Sequence, residues 1–154
     1  MNNFFVILAA GKGQRFSQNK PKQYFDYKDK TLIQHSVDKA LASKLFNKII
    51  IVQSKKYKNI FKNYNKQKIV IIEGGKERND SSLNALKKIK KYKPNNVFIH
   101  DAARPNFSNK LLTRLLKQLK IHKAVVPFVN SQDSVKLRKN NKYFNLDRDK
   151  ILFT

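Results

Sequence analysis

Two glycines, an arginine and a lysine follow the first apolar run of the chain at short spacing. In the stretch LAAGKGQRF, Gly11 and Gly13 let the backbone turn sharply after a strand and present N–H groups to an anion. Arg15 comes shortly afterwards, and Pro21 stiffens the backbone directly before Lys22. Two cations beside a phosphate-binding loop suit phosphoryl or nucleotidyl transfer, in which negative charge on the transferred group must be neutralised.

The glycine pattern differs from the two common phosphate-binding signatures. Gln14 follows Gly13, so no Lys-Ser or Lys-Thr pair closes the loop, and the third glycine of the dinucleotide fingerprint is absent. A tight turn without a ligand is therefore an alternative for the glycines alone, and surface charge is an alternative for a single lysine. The pairing of Arg15 with Lys22 favours the phosphate site.

A second glycine pair follows a later apolar run. In GGKERNDSSLNAL, Gly74 and Gly75 come before Arg78 and Ser81. Small residues at this point admit a flat base and offer backbone donors and acceptors to its edge. A helix start capped by Asp80 or Ser81 is an alternative interpretation that does not exclude the first.

The stretch HDAARP places a carboxylate and a guanidinium at the end of another apolar run. Asp101 and Arg104 are close enough in sequence to pair, and a carboxylate beside a phosphate site suits a metal, a ribose or a substrate hydroxyl. We expect His100 to pack or bond locally. His35 and His122 fall in helical patterns, and we assign chemistry to none of the three histidines.

Apolar runs that alternate with helical patterns predict the scaffold. The predicted strands are NFFVILAA, NKIIIVQS, QKIVIIEGG, NVFIHDA and KAVVPFV. The predicted helices are TLIQHSVDKALAS, with Leu32, Ser36, Val37, Ala40 and Leu41 inward; SSLNALKKIKKY, with Leu83, Leu86 and Ile89 inward; and SNKLLTRLLKQLKIH, capped by Ser108, with Leu111, Leu112, Leu115, Leu116 and Leu119 inward. We predict an α/β fold with a doubly wound, Rossmann-like, mostly parallel sheet and helices on both faces, which binds ligands at the carboxyl ends of its strands.

The pattern changes after Val129. The stretch DSVKLRKNNKYFNLDRDKILF alternates polar and apolar residues about Asn140 and Asn141, a pair that suits a hairpin turn. We predict a projecting β-hairpin arm over residues 131–148 of a single domain, 1–154. Because the sequence ends within an apolar run, we expect the C-terminal part of this domain to be missing.

Composition limits the possible classes of function. The chain of 154 residues is long enough for one domain, and the lack of cysteine excludes disulfides, thiolate metal sites and a cysteine nucleophile. No apolar stretch is long enough to span a membrane, and we expect a cytoplasmic protein. The net charge of +24 raises the alternative of a basic nucleic-acid-binding module. Most of the 34 basic residues are lysines, whereas base recognition favours arginine, so we expect no specific nucleic-acid partner.

Five of these motifs together resemble a known family. LAAGKGQRF, PKQY, GGKERNDSSLNAL, VFIHDAARP and DSVK occur in the order and approximate spacing of the 2-C-methyl-D-erythritol 4-phosphate cytidylyltransferases. HDAARP together with PKQY is specific, whereas the glycine loop alone indicates only a sugar-nucleotide-type nucleotidyltransferase. The resemblance implies transfer of cytidylyl from CTP to methylerythritol phosphate, which gives 4-diphosphocytidyl-2-C-methyl-D-erythritol and pyrophosphate in non-mevalonate isoprenoid biosynthesis. It also implies Mg2+ that is bound mainly through the CTP phosphates.

The resemblance also assigns roles to individual residues. The implied catalytic residues are Arg15 and Lys22; the nucleotide-binding residues are Ala9, Ala10, Gly11, Gly13, Gly75, Ser81 and Ala102; the substrate-binding residues are Asp101, Arg104, Ser134 and Arg148. No residue is matched to a metal. The hairpin is similar to the arm that subunits of a family dimer exchange, so Ser134 and Arg148 would reach the partner's substrate phosphate. Ser134 stands where some members have threonine, and it retains the hydroxyl.

One departure and one rival qualify the resemblance. The family continues with a Thr-Pro-Gln segment, a helical region and a late lysine near the substrate phosphate, all outside residues 1–154. The activity of these residues alone is therefore open, and a longer bifunctional protein is one possible origin. A cytidylyltransferase for another polyol phosphate, such as ribitol 5-phosphate, is the closest alternative. In either reaction the phosphate monoester is already an anionic nucleophile, so a site without a general base is expected.

Overall fold

A computed structural model describes residues 1–13, 20–130 and 133–153, except for the side chains of Lys58 and Arg148. The chain divides into two compact units, Met1–Phe107 and Ser108–Thr154. The strands are β1 (Asn3–Leu8), β2 (Asp26–Tyr27), β3 (Lys30–Thr31), β4 (Lys48–Gln53), β5 (Ile69–Glu73), β6 (Asn96–Asp101), β7 (Val129–Asn130), β8 (Val135–Lys139), β9 (Lys142–Leu146) and β10 (Leu152–Phe153). The helices are α1 (Leu32–Ala42), α2 (Arg78–Ile89) and α3 (Asn109–Gln118), with 3-10 helices at Lys22–Tyr24, Lys55–Phe61, Lys90–Tyr92 and Arg148–Lys150.

The first unit is built on a parallel sheet of four strands in the order β5-β4-β1-β6. The chain moves outward from β1 to β4 and β5, and then returns across the sheet to β6. Right-handed crossovers in opposite directions place α1 and α2 on opposite faces. The predicted doubly wound parallel sheet with helices on both faces is confirmed, and the strand order reverses between β1 and β6.

The sheet is apolar on both faces, as the continuous hydrophobic runs require. On one face, Phe4 and Val6 of β1 pack in a cluster with Ala85 and Ile89 of α2. Phe5 alternates with Phe4 and points to the other face, where its ring lies 4.7 Å from that of Phe46 and 6.2 Å from that of Phe98. The core therefore holds β1 between two layers.

Helix α1 buries a slightly different face from the predicted one. Its buried residues are Ile33, Ser36, Val37 and Ala40, whereas Leu32 and Leu41 are only half-buried. The helix begins after Thr31, whose backbone N–H donates to Gln34 Oε1 at 3.0 Å. Counted from Ile33, the buried set follows the spacing of one helical face, so the prediction missed Ile33 and misplaced the two leucines.

Helix α2 is rotated relative to the prediction. Leu83 and Leu86 are 49% and 40% exposed, and the buried residues are Ser81, Ala85 and Ile89. Small side chains at 81 and 85 let this face of the helix approach the sheet closely. Asp80 takes part in the cap, as the sequence suggested, but from inside the helix: α2 begins at Arg78, and the Glu77 backbone N–H donates to Asp80 Oδ2 at 3.0 Å.

The second unit contains α3 and two short antiparallel pairs. Ser108 caps α3 as predicted, since its Oγ accepts from the Leu111 N–H at 3.1 Å, and the five leucines are the buried or half-buried residues of the helix and its end. The predicted strand KAVVPFV is wrong: only Val129–Asn130 is extended in a ladder, with Leu152–Phe153. Pro127 cannot donate to a ladder, and the rest of this run finds no strand partner in the described part of the unit.

The predicted hairpin is confirmed in the second unit. Strands β8 and β9 pair antiparallel, with Lys139 opposite Lys142. Asn140 and Asn141 form the turn with φ of 47° and 59°, which matches the two positive φ values of a type I′ turn. Among the described residues, no helix is both long and apolar enough to cross a bilayer.

Candidate active site

A cavity of about 870 Å³ lies at the carboxyl ends of the sheet in the first unit. Three loops line it, and they follow β1, β5 and β6. The cavity lies where the strand order reverses, which is the place where doubly wound sheets bind their ligands. Of the predicted site residues it contains Ala10, Gly11, Gly13, Lys22, Gly75, Ser81, Asp101, Ala102 and Arg104.

Four predicted site residues are not among those that line this cavity. Ala9 is buried beneath the loop and borders a neighbouring cleft of about 440 Å³. Arg15 lies outside the described residues. Ser134 and Arg148 belong to the second unit, and the side chain of Arg148 is also outside the description.

The structure requires glycine at only one of the two glycine positions in the first loop. Gly13 has φ of 63°, and a Cβ built on it would lie 2.9 Å from Pro21 Cα. Both its backbone conformation and its close approach to Pro21 therefore require glycine. A Cβ on Gly11, in contrast, would meet no atom within 4 Å. Gly11 is not needed for packing within the described chain, and it keeps the cavity wide at that point.

Gly74 joins the loops that follow β1 and β5. A Cβ built on Gly74 would overlap the methyl group of Ala10 and lie 3.0 Å from Ser81 Oγ. Next to it, the N–H of Gly75 donates to Ser81 Oγ at 3.1 Å, and Ser81 is buried. The second glycine pair thus holds the start of α2 against the first loop, and the rotation of α2 brings Ser81 into this contact.

A buried pair of side chains from the PKQY motif supports the first loop. Gln23 Nε2 donates to the carbonyl oxygens of Ala9 and Gly11 at 2.8 and 2.7 Å, and the Tyr24 hydroxyl donates to Ala9 at 2.9 Å. The Tyr24 ring stacks on that of Tyr57 with 3.6 Å between ring centroids. Burial raises the pKa of Tyr24, and Tyr57 adds to this effect, so the hydroxyl stays protonated. Sequence reasoning gave roles to Pro21 and Lys22 of this motif and did not identify those of Gln23 and Tyr24.

The loop that follows β6 presents one carboxylate between two guanidinium groups. Asp101 Oδ1 lies 3.2 Å from both Nε and Nη2 of Arg78, and Asp101 Oδ2 lies 3.4 Å from Arg104 Nε. The predicted pairing of Asp101 with Arg104 is confirmed, whereas the bond from Arg78 was not predicted. One carboxylate cannot neutralise two guanidinium groups, so this side of the cavity is cationic and suits an anionic ligand.

Neighbouring residues fix the same loop. The Ala102 N–H donates to the Leu8 carbonyl at 3.1 Å, and the Ala102 carbonyl accepts from Ser36 Oγ at 3.1 Å. His100 Nε2 lies 2.9 Å from the Arg104 carbonyl oxygen. Burial lowers the pKa of His100, so the neutral ring donates to that carbonyl. The local, structural role that we expected for His100 is confirmed.

Comparison with known protein sequences relates the chain to one group of enzymes. The family profile described as "IspD: 2-C-methyl-D-erythritol 4-phosphate cytidylyltransferase" matches residues 4–150. A "Bifunctional enzyme IspD/IspF" from Pelagibacter ubique is 50% identical over 151 residues, which are 98% of this chain and 41% of that protein. A 2-C-methyl-D-erythritol 4-phosphate cytidylyltransferase from Thermosipho melanesiensis is 37% identical over 99% of this chain and 69% of its own length.

Solved structures share the fold along nearly the whole chain. The crystal structure of Francisella tularensis 2-C-methyl-D-erythritol 4-phosphate cytidylyltransferase superposes with a TM-score of 0.80 at 33% identity, covering 99% of this chain and 69% of that one. The bifunctional IspDF from Campylobacter jejuni gives a TM-score of 0.81 at 25% identity, covering 99% of this chain and 39% of that one. The chain thus spans about two fifths of the bifunctional relatives and about two thirds of the single-function ones.

Proposed function

The chain belongs to the 2-C-methyl-D-erythritol 4-phosphate cytidylyltransferase family, and on this premise we propose that the protein transfers the cytidylyl group of CTP to 2-C-methyl-D-erythritol 4-phosphate. The observation that carries the proposal is the cavity at the strand-order reversal, which is lined by two glycine loops, three lysines and two arginines. The products are 4-diphosphocytidyl-2-C-methyl-D-erythritol and pyrophosphate, and the proposed pathway is non-mevalonate isoprenoid biosynthesis.

The proposed reaction is a substitution at phosphorus. A phosphate oxygen of the polyol substrate attacks the α-phosphorus of CTP and forms a new P–O bond. The bond between the α-phosphorus and the oxygen that bridges to the β-phosphate breaks, and pyrophosphate leaves with the electron pair. Because the attacking oxygen is already anionic, the main obstacle is charge repulsion, which cations and oriented N–H groups reduce.

The proposed roles follow the three loops around the cavity. Ala10, Gly11 and Gly13 hold the triphosphate through backbone N–H groups, and Lys22 acts with Arg15 at the α-phosphorus. Ala9 supports this nucleotide site from beneath the loop.

The other two loops hold the base and the second substrate. Gly75, Ser81 and Ala102 hold the nucleoside, and Asp101 with Arg104 orients the polyol phosphate. Cationic side chains that border the same cavity support this division, since both substrates carry phosphate.

Mg2+ fits this site best as part of the nucleotide complex. Glu77 and Asp101 are the carboxylates that line the cavity, and the described residues contain no cluster of three metal-binding side chains. Magnesium commonly binds through substrate phosphates and one or two carboxylates, with water completing its shell. We therefore propose that Mg2+ binds mainly through the CTP phosphates, where it would neutralise charge on the triphosphate.

We further propose that the protein works as a homodimer in the cytoplasm, where CTP is available. The hairpin of the second unit carries Val135, Leu137, Phe144 and Leu146 on one face, and the last three are 48%, 49% and 40% exposed. An exposed apolar face on a hairpin supports an exchanged arm. The roles of Ser134 and Arg148 at the partner subunit's substrate phosphate are part of this proposal.

Pyrophosphate release tests the proposed reaction. The complete gene product is incubated with CTP, Mg2+ and either 2-C-methyl-D-erythritol 4-phosphate or ribitol 5-phosphate, beside residues 1–154 alone. We expect release by the complete product with the methylerythritol substrate only. Release with ribitol 5-phosphate alone would make that compound the substrate in place of 2-C-methyl-D-erythritol 4-phosphate. No release by the complete product with either compound would refute cytidylyl transfer to both.

A further inference from the structure

Gln23 holds two carbonyl groups of the first loop at once. Its Nε2 donates one hydrogen bond to Ala9 at 2.8 Å and one to Gly11 at 2.7 Å. Gln23 itself is only 7% exposed. Both hydrogens of the amide are therefore used. Their loss leaves the Ala9 carbonyl with the Tyr24 hydroxyl as its remaining side-chain donor and removes the side chain that fixes the direction of the Gly11 carbonyl.

These two bonds determine where the next peptide N–H groups point. No peptide bond in the described chain is cis, and in a planar trans peptide the carbonyl and the following N–H point in opposite directions. The Ala9 and Gly11 carbonyls are directed at Gln23, so the N–H groups of Ala10 and Lys12 are directed away from it. Ala10, Lys12 and Gln23 itself all line the cavity of about 870 Å³.

The segment that carries Gln23 is itself fixed. The Tyr24 N–H donates to the Pro21 carbonyl at 2.9 Å within the short helix, and Pro21 lies against Gly13. The Tyr24 hydroxyl also donates to Ala9. Gln23 thus reaches the loop from a rigid support, which is what a precise orientation of the loop requires.

We propose that Gln23 is a positioning residue for CTP. By holding the Ala9 and Gly11 carbonyls, it turns the N–H groups of Ala10 and Lys12 toward the CTP phosphates. This inference rests on the proposed function, because it assumes that the first loop binds the triphosphate. A side chain that merely fills buried space would contribute to stability without affecting CTP affinity selectively.

The first test compares two variants by calorimetric titration of the complete gene product with CTP and Mg2+. Gln23→Met keeps the length and shape of the side chain but removes both donors. Tyr64→Phe is the control, since it removes a hydrogen bond of 2.8 Å to Asp38 that is not part of the cavity lining. We expect at least tenfold weaker CTP binding for Gln23→Met and a change of less than threefold for Tyr64→Phe, with thermal unfolding recorded for both.

The second test uses pH. In Gln23→Glu the new carboxylate faces two carbonyl oxygens in a buried place, which raises its pKa above the ordinary value of about 4.3. The ionised form donates no hydrogen bond, whereas the protonated form donates one. The ratio of wild-type to Gln23→Glu affinity for CTP should therefore fall as the pH is lowered from 8 to 5.5. Dividing by the wild-type value removes the titration of CTP itself.

The outcomes separate this inference from the proposed function. Wild type that fails to bind CTP overturns both. Wild type that binds CTP, together with a folded Gln23→Met that binds it equally well, overturns only the positioning role. If Gln23→Met does not fold, the ratio of wild-type to Gln23→Glu affinity for CTP decides. A ratio that falls at low pH supports the positioning role, and a ratio independent of pH overturns it.

Discussion

The residues around the cavity fall into those that the fold needs and those that only a ligand needs. Gly13 and Gly74 are required by backbone conformation or by close packing against Pro21 and Ala10. Gly11 lines the cavity, and a Cβ there would meet no atom within 4 Å. Substitution of Gly11 should therefore change ligand binding and leave stability nearly intact.

Replacement of Lys22 tests the proposed role at the transition state. Lys22→Ala should lower kcat by about 100-fold or more, as removal of one preorganised donor commonly does, while CTP affinity changes far less. Steady-state kinetics with calorimetric CTP binding measures both quantities. Lys20→Ala is the matched control, because Lys20 pairs with Asp26 at 3.2 Å and does not line the cavity. Equal losses of turnover and affinity in Lys22→Ala would contradict the assignment.

The two glycines of the first loop should respond in opposite ways. Gly11→Ala should leave unfolding unchanged or raise its free energy by up to about 1 kcal/mol, but weaken CTP binding about tenfold because the methyl group enters the cavity. Gly13→Ala should destabilise the protein by about 1–2 kcal/mol, given the positive φ and the contact with Pro21. Urea unfolding and CTP titration distinguish the two variants. Equal stability losses would refute this division.

Secondary structure elements differ in how well the sequence predicts them. The four parallel strands are apolar runs, so their existence follows from the hydrophobic pattern. The central strands β1 and β4 are buried on both faces, whereas Ile71 of β5 and Ile99 of β6, at the two edges of the sheet, are 41% and 43% exposed. The rotation of α2 does not follow, because leucine content favours a face with Leu83 and Leu86. The structure uses Ser81 and Ala85 instead, since Ser81 must reach the Gly75 N–H and small residues permit that approach.

The rotation of α2 can be tested by two truncations. Ile89→Ala should lower the free energy of unfolding by about 2–5 kcal/mol, as for other buried large-to-small substitutions. Leu86→Ala should change it by less than about 0.5 kcal/mol, as expected for a surface position, since Leu86 is 40% exposed. Chemical denaturation with far-UV circular dichroism measures both. A larger loss of stability in Leu86→Ala than in Ile89→Ala would instead support the buried face with Leu83 and Leu86 that the sequence predicted.

At the scale of the whole molecule, sequence motifs predicted the location of the cavity better than its internal contacts. The loops that carry the motifs follow parallel strands, whose carboxyl ends all lie at the same end of the sheet. The convergence of these loops therefore follows from the topology. The support from Gln23 and the bond between Arg78 and Asp101 depend on side-chain directions that no spacing rule contains. The prediction of a strand at KAVVPFV was wrong because strand pairing depends on a partner that is distant in sequence and not on the local residues.

Oligomeric state provides the prediction that concerns the whole protein. Light scattering of the complete gene product should give a dimer, and Leu137→Ser with Phe144→Ser should shift it toward the monomer, since these side chains face each other on the apolar side of the hairpin. Lys136→Ser with Asn145→Ser is the matched control on the opposite side. A dimer that survives the first pair of substitutions would exclude the apolar face of the hairpin as its interface.

The central position of β1 also has a consequence for protein synthesis. Asn3 at the start of β1 lies opposite Asn96 of β6, 93 residues later in the chain. At roughly 5–20 residues per second, the ribosome needs about 5 to 20 seconds before it delivers that neighbour. Both edges of β1 are open until β4 is synthesised, and one edge stays open until β6 follows, so its strongly apolar side chains can bind chaperones and other nascent chains. Synonymous codons that slow translation between β5 and β6 should therefore lower the yield of native protein.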